Sequence, residues 1–260
     1  MAGVQRYVSK ELSHFVGRGL NSPDERFALL LSILRAGCLT HPPHSLNVSG
    51  NLTINPSASL SSNEMYTPQV ICFCDIPVED LHIHTAKYSA FGLSFAKQFI
   101  AGKGGAPVLY VPLGGKLREP RNLSSGELAS IDASQWPAAL LHDVPMSERF
   151  DQMVLEFHRM MQLFGDMIMN RAAVPGVPYD YNRLHQLLLF LEFRIFSYIK
   201  FFDETLDDDN PKNFYMEREW RLVGNLQFGL GQVERVMIPQ AYAERFRREL
   251  PSFYGQLTFI

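Results

Sequence analysis

The 260-residue sequence has little cysteine, no strong excess of charge and no long apolar run. Three cysteines do not suggest a disulfide framework, and so small a number fits a reducing compartment. The formal net charge of -3 provides no global field that attracts nucleic acid, although it leaves room for a local basic patch. The most apolar stretch, residues 187–191, is far too short to span a bilayer, and the first residues carry no apolar signal core. These absences predict a cytoplasmic protein that does not enter a membrane.

Local patterns predict an α+β fold in a single domain over residues 1–260. Ser22 and Pro23 are typical of a helix start, and Gly37 is typical of the end of that helix. Residues 134–203 show helical periodicity on both sides of a proline- and glycine-rich break, and they predict a helical-hairpin insertion between the halves of a sheet. Apolar or alternating runs predict strands over residues 70–74, 107–112, 217–226, 233–238 and 257–260.

Methionine is concentrated on one helix of the predicted insertion. Met153, Met160, Met161 and Met167 recur at helical spacing within an amphipathic pattern. Such a stripe can serve as an adaptable surface for a partner protein, but the same pattern also describes an ordinary buried helix face. The sequence leaves both interpretations open.

Two glutamates occupy the start of the predicted strand 217–226. Glu217 and Glu219 stand two residues apart, and on a strand they would lie side by side on one face. Two carboxylates at that spacing repel each other unless cations compensate, and Arg218 and Arg221 are the nearest candidates. The pattern describes either a charge-balanced edge strand or a catalytic carboxylate at the mouth of a cleft.

Histidine and cysteine supply two further candidates. His14 precedes a glycine turn, where it either orients a ligand or is a half-buried structural histidine. A tetrahedral zinc site needs four ligands, and the sequence offers four close together: Cys72, Cys74, His82 and His84. Neither pair has zinc-finger spacing, so we predict no metal site.

Six short blocks together resemble the AbiGi-type abortive phage-resistance family. They occupy residues 13–15, 31–39, 72–77, 88–93, 107–110 and 217–221. The most specific of them are 72–77, which reads CFCDIP, and 217–221, which reads EREWR. The resemblance implies a toxin–antitoxin pair, in which this chain has a cognate antitoxin or toxin as its partner. The order of the blocks also resembles the ADP-ribosyltransferase fold, which implies a split β-sheet core.

The resemblance to ADP-ribosyltransferases further implies NAD as the cofactor and assigns roles to individual residues. Glu219, with Glu217 beside it, takes the catalytic position, where a carboxylate stabilises a cationic ribosyl species. His14 takes the position that contributes hydrogen bonds to the ribose and completes the catalytic set. The candidates for the aromatic side chain that supports the nicotinamide ring are Phe73, Tyr88 and Tyr110.

Two functions follow from these patterns. The first is an NAD-dependent ADP-ribosyltransferase that acts as a toxin in bacterial anti-phage defence and modifies a macromolecular acceptor, either protein or nucleic acid. The alternative is a non-enzymatic antitoxin or sensor that binds a partner protein through the methionine-rich insertion. A nuclease ranks last, because the sequence has no Asp…Glu-x-Lys arrangement to hold its metal.

Overall fold

The computed structural model describes residues 9–41, 51–132, 134, 140–169, 181–208, 210 and 212–260. The chain forms two compact units. Unit one comprises Met1–Thr53, Thr67–Val108 and Leu206–Ile260, and unit two comprises Ile54–Tyr66 and Leu109–Thr205. No helix in the described part of the chain is long and apolar enough to cross a membrane.

The described residues form a mixture of strands and helices, which confirms the predicted α+β class. The strands are β1 (Glu11–Phe15), β2 (Cys38–Leu39), β3 (Leu52–Ile54), β4 (Tyr66–Pro68), β5 (Val70–Cys74), β6 (Gly92–Ala96), β7 (Ala106–Pro107), β8 (Leu109–Pro112), β9 (Lys116–Pro120), β10 (Leu141–Pro145), β11 (Ile199–Phe202), β12 (Glu219–Val223), β13 (Leu226–Gln227), β14 (Val233–Ile238) and β15 (Gln256–Phe259). The helices are α1 (Pro23–Ala36), α2 (His82–Lys87), α3 (Lys97–Gly102), α4 (Ser125–Ser130), α5 (Met146–Met169), α6 (Tyr181–Arg194) and α7 (Ala243–Glu249).

Unit one is built on a seven-stranded sheet with the order β15-β14-β6-β1-β5-β12-β7. Neighbouring strands are antiparallel except β14 and β15, which run parallel. The register places Ser13 of β1 opposite Cys74 of β5, and Cys74 opposite Glu219 of β12. Because residues paired across strands share a face and successive residues alternate, this register assigns each side chain to one of two faces.

One face of this sheet forms the main core of unit one. Helix α1 packs its apolar stripe against the same cluster. Burial of side chains of this size contributes roughly 1.5–3 kcal/mol each to folding. The sheet residues at the centre of the cluster are all 2% exposed or less: Leu12, Phe73, Leu93, Phe95 and Leu222.

Helix α1 begins and ends where the sequence predicts. The Ser22 side chain accepts a hydrogen bond from the Glu25 amide, and the Glu25 carboxylate accepts one from the Ser22 amide, which completes a capping box. Gly37 ends the helix with a φ of 62°, and its carbonyl accepts a hydrogen bond from the Phe228 amide. A Cβ at this position would lie 2.5 Å from the Phe228 carbonyl oxygen, so only glycine fits both the backbone conformation and the close approach.

Residues 107–112 do not form the single strand that the sequence predicts. Strand β7 pairs with β12 in the large sheet, whereas β8 pairs in parallel with β11 in unit two. The Val108 amide between them still donates to the Glu219 carbonyl oxygen, at 3.0 Å. The chain therefore leaves the large sheet directly after this hydrogen bond.

Unit two contains two small sheets, the longest helix of the described residues, α5, and the helix α6. Strands β9 and β10 are antiparallel, and β8 and β11 are parallel. Helix α5 packs one side inward, with Val154 fully buried and the Phe157 ring 5.1 Å from that of Phe196. Both α5 and α6 lie within the segment 134–203 that the sequence predicts to be helical. The ADP-ribosyltransferase-like split sheet remains a prediction.

Candidate functional site

The second face of the large sheet carries charged and polar side chains. Ser13, Cys74 and Glu219 share this face by register, and Arg221 follows two residues after Glu219 on the same side. Glu219 is only 6% exposed. Its carboxylate accepts a hydrogen bond from the Arg221 guanidinium, with 2.7 Å between Nε and Oε1. Arg221 is one of the two cations that the sequence offers as partners for the glutamates, and it lies on the same strand face as Glu219.

The prediction that Glu217 lies on the same strand as Glu219 is wrong. Glu217 ends a helical turn, Phe214–Glu217, and the strand begins only at Glu219. Arg218 between them has a φ of 43°, in the left-handed region that interrupts an extended chain. An alternating sequence pattern does not reveal that a single residue has a positive φ. The predicted strand therefore begins two residues too early.

Lys87 and Tyr88 hold the Glu217 carboxylate. The Lys87 Nζ lies 2.5 Å from Oε1, and the Tyr88 hydroxyl donates to the same oxygen. Glu217 is 8% exposed, so this ion pair is largely removed from water. Burial, followed by the charge of Glu217, raises the pKa of Tyr88 and keeps its hydroxyl a donor. Arg18 packs over the ring of this tyrosine, with its guanidinium carbon 4.9 Å from the ring centre.

Sequence reasoning missed Lys87 as the partner of Glu217. The two residues are 130 positions apart, and only the packing of the C-terminal end of α2 brings them together. The same face contains a third carboxylate, that of Glu11, which is held by Arg235 at 3.1 Å. Each of the three carboxylates thus contacts a cation, which is the pattern of a balanced buried charge network.

Cys74 lies in this network but is not suited to act as a nucleophile. Burial, with smaller contributions from the Asp75 and Glu217 carboxylates, raises the pKa of the Cys74 thiol to about 12. The reactive form of cysteine is the thiolate, and this thiol stays protonated at neutral pH. Among the described residues no cluster of histidine, cysteine and carboxylate side chains has the geometry to hold a metal ion. His82 is one of the four candidate zinc ligands, and its side chain lies outside the part of the chain that the structure describes.

His14 and Phe73 lie on the opposite face of the sheet from Glu219. His14 follows Ser13 on β1, and Phe73 precedes Cys74 on β5. Because successive residues of a strand point to opposite faces, both side chains point toward the apolar core. The His14 Nδ1 donates to the Cys72 carbonyl oxygen at 2.8 Å, and its ring centre is 5.8 Å from that of Phe73. Burial lowers the pKa of His14 and favours its neutral form.

The residues predicted to hold NAD belong to different elements of the two units. Tyr88 lies beside Glu217 in unit one, whereas Tyr110 belongs to β8 of unit two and packs edge-on against Phe202. The sheet separates His14 and Phe73 from Glu219. This arrangement does not fit a nicotinamide ribose held between a first-strand histidine and a late-strand glutamate.

His84 is a buried histidine whose two ring nitrogens make no hydrogen bond within the described structure. It is 5% exposed and packs 6.1 Å from the Tyr88 ring. Burial lowers the pKa of His84 from 6.5, an effect that the Glu217 charge opposes. An unsatisfied buried polar group costs roughly 1–3 kcal/mol, so this position carries a stability cost.

Replacing His84 with leucine should raise the free energy of unfolding by about 1–3 kcal/mol at pH 7. In the wild-type protein the folded pKa lies below the unfolded value of 6.5, so the unfolded state binds more protons and stability falls as the pH drops below 6.5. The His84→Leu variant should lose less stability over this range. His14 and His158 also have lowered pKa values, so some acid sensitivity remains. Urea denaturation at pH 5.5 and pH 7.5 measures both effects, and an equal pH dependence in the two proteins would contradict this role.

Helix α5 also exposes an apolar line, here called the α5 stripe: Met153, Met160 and Phe164. These side chains are 45%, 51% and 37% exposed. They are spaced at i, i+7 and i+11, and therefore lie along one side of the helix, next to the side that Val154 buries. The side chain of Met167, which continues the pattern, lies outside the described residues. Contiguous exposed apolar side chains of this kind mark interaction surfaces.

Comparison with known protein families identifies the family of this chain. The model of the family described as abortive phage resistance protein AbiGi, antitoxin, matches residues 60–249. This match spans well over half of the chain, and the protein belongs to the AbiGi family. The predicted family is therefore confirmed. No curated protein and no solved structure matches the chain.

Proposed function

We propose that this chain is the antitoxin of a toxin–antitoxin pair in phage defence, and that it neutralises its cognate toxin by binding it through the α5 stripe. The exposed apolar side chains of α5 carry the proposal. A monomer gains nothing from exposing two methionines and a phenylalanine along one line, whereas methionine is well suited to a partner surface because its side chain adapts to the shape that covers it.

The arrangement of unit one also favours binding over catalysis. Glu217 and Glu219 are each paired with a cation, and the buried thiol of Cys74 is protonated. A general base or nucleophile needs a pKa tuned to its task and access to substrate. The paired carboxylates of this face instead fit a scaffold that holds the sheet together.

Co-expression with the cognate toxin tests the proposal. The full-length chain should restore growth to cells that produce the toxin, should co-purify with it as a stoichiometric complex, and should be harmless when produced alone. Toxicity of the chain by itself, or the absence of any complex, would overturn the assignment.

A second candidate function is NAD-dependent ADP-ribosyl transfer. The observation in its favour is that Glu217, Glu219 and Tyr88 belong to one buried polar network. Against it stands the position of His14 on the other face. Calorimetric titration of NAD into the purified chain, with His14→Ala beside it, decides between the two: binding that His14→Ala weakens supports the transferase, and no binding supports the antitoxin.

A further inference from the structure

Strand β15 forms an open edge of the large sheet. It pairs with β14 on one side, and no other strand of the described residues pairs with it. The Ile260 amide donates to the Ile238 carbonyl oxygen at 3.3 Å, and in a parallel ladder alternate residues bond to the same neighbour. Thr258 therefore also bonds toward β14, whereas the amide and carbonyl groups of Leu257 and Phe259 point outward. Within the described part of the chain, these outward groups have no hydrogen-bond partner.

This edge lacks the features that commonly prevent a sheet from accepting another strand. Such features are charged side chains, proline, a bulge or a very short edge strand. At the opposite edge, β7 has only two residues, and one of them is Pro107. In contrast, β15 contains neither a charged residue nor proline, and its register with β14 is unbroken. Phe259 on this strand is 48% exposed. The edge is therefore open to a further strand.

From this edge we infer that β15 pairs antiparallel with β15 of a second copy of the chain, so that two large sheets join into one. One register uses every outward group: it places Leu257 of each copy opposite Phe259 of the other. Each such pair exchanges two hydrogen bonds, as the hydrogen-bonded pairs of an antiparallel ladder do. The two-fold axis then passes between the two Thr258 residues, and each outward donor meets an acceptor.

The side chains fit the same register. Leu257 packs against the core cluster of its own copy, and Phe259 lies on the same face by alternation. The pairing therefore covers each exposed phenylalanine ring with a leucine from the other copy. On the opposite face two threonines meet, which is a favourable cross-strand pair. The cation that contacts Thr258, Arg235, is already paired with Glu11 of its own copy.

This self-complementarity selects a second copy over a strand of another protein. A single segment supplies the donors, the acceptors and the matching side chains, as a two-fold symmetric interface requires. Its residues carry no charged side chain, so the pairing brings no like charges of β15 together. Because the strand has only four residues, the interface is small and the dimer should depend on protein concentration.

The inference goes beyond the proposed antitoxin function, and its test uses the full-length chain without toxin. Sedimentation over a series of concentrations should show a reversible dimer of the wild type. Phe259→Lys should raise the dimer dissociation constant about 10-fold or more, because a charge at a paired edge opposes strand addition. Phe259→Pro should do the same, because it removes an outward donor. Tyr254→Lys is the matched control: it adds the same charge at a residue 94% exposed before the strand, and should dimerise like the wild type.

A cysteine at the two-fold axis tests the register. In a non-hydrogen-bonded pair the two Cα atoms are about 4.5 Å apart, which is within the range that a disulfide spans. Thr258→Cys should therefore form a covalent dimer under mild oxidation. The wild type, whose Cys72 is exposed, and Tyr254→Cys are the controls and should form much less of it.

The opposite results are equally clear. A wild type that stays monomeric at every concentration would overturn the inference, and so would a dimer that Phe259→Lys leaves intact. Thermal melting of each variant shows whether it folds, and Phe259→Lys remains informative if Phe259→Pro does not. If the chain alone is monomeric but Phe259→Lys weakens toxin binding, the edge accepts a strand of the toxin and the inference is wrong.

Discussion

Replacing Glu217 with leucine is expected to lower the free energy of unfolding by about 3–5 kcal/mol. The substitution leaves the Lys87 ammonium, whose side chain is 18% exposed, beside an apolar group and without its carboxylate. It also removes the acceptor of the Tyr88 hydroxyl. Breaking one partner of a buried ion pair is costly because the remaining charge stays out of water.

A double variant isolates this cause. Lys87→Met combined with Glu217→Leu removes both charges and should recover most of the loss, since an apolar pair of similar volume often replaces a buried ion pair without penalty. Urea denaturation of the wild type, both single variants and the double variant completes the cycle. A Glu217→Leu variant within about 1 kcal/mol of the wild type would show that the pair contributes little, as exposed pairs do.

Replacing Met160 with glutamate is expected to weaken toxin binding by about 100-fold or more without unfolding the chain. Met160 is 51% exposed, and surface substitutions usually change stability by about 0.5 kcal/mol or less. In the complex the same carboxylate would be buried against apolar side chains of the toxin, and an unpaired buried charge is strongly unfavourable. Calorimetric titration of toxin into the variant measures the loss.

Two matched variants on α5 make this result interpretable. Gln152→Glu adds the same charge at an exposed position away from the stripe and should bind normally. Val154→Asp places a carboxylate at a fully buried position and should destabilise the fold itself. If Met160→Glu instead melts like Val154→Asp, the methionines are core residues and the α5 stripe is not a binding surface.

The sequence predicts those parts of the fold that depend on neighbouring residues. The capping box of Ser22 and Glu25 and the left-handed Gly37 are local signals, and they place α1 correctly. Strand β5 and strand β14 follow from short apolar runs in the same way. Each of these signals is contained within a few residues, so it is readable without the tertiary structure.

The charged network depends on contacts that no local pattern contains. The positive φ of Arg218 moves Glu217 out of the strand, and its cation comes from Lys87, far away in the chain. The face on which His14 lies follows from the register with β5 and β6, which a single strand does not specify. A catalytic set assembled from the order of residues along the chain therefore misses the separation that the sheet imposes.

The methionine-rich helix shows another feature that the sequence does not predict, namely which side of the helix is buried. Periodicity identifies an amphipathic helix but does not define how wide its buried side is. In the structure Val154 faces inward and is fully buried, while Met153 and Met160 beside it are half exposed. Whether the methionines belong to the core or to a binding surface therefore depends on a rotation of the helix by one residue. Only the packed structure shows which residues are buried.

Growth of cells that produce the toxin together with the Glu219→Gln variant is the most direct test of the central claim, that this protein neutralises a toxin by binding. The glutamine keeps the size of the side chain and can still accept a hydrogen bond from Arg221, but it cannot serve as a catalytic carboxylate. Neutralisation by binding predicts that the variant, provided that it folds without the Glu219 charge beside Arg221, restores growth as well as the wild type does. A variant that folds and binds toxin normally, yet fails to restore growth, would contradict the claim and return Glu219 to a catalytic role.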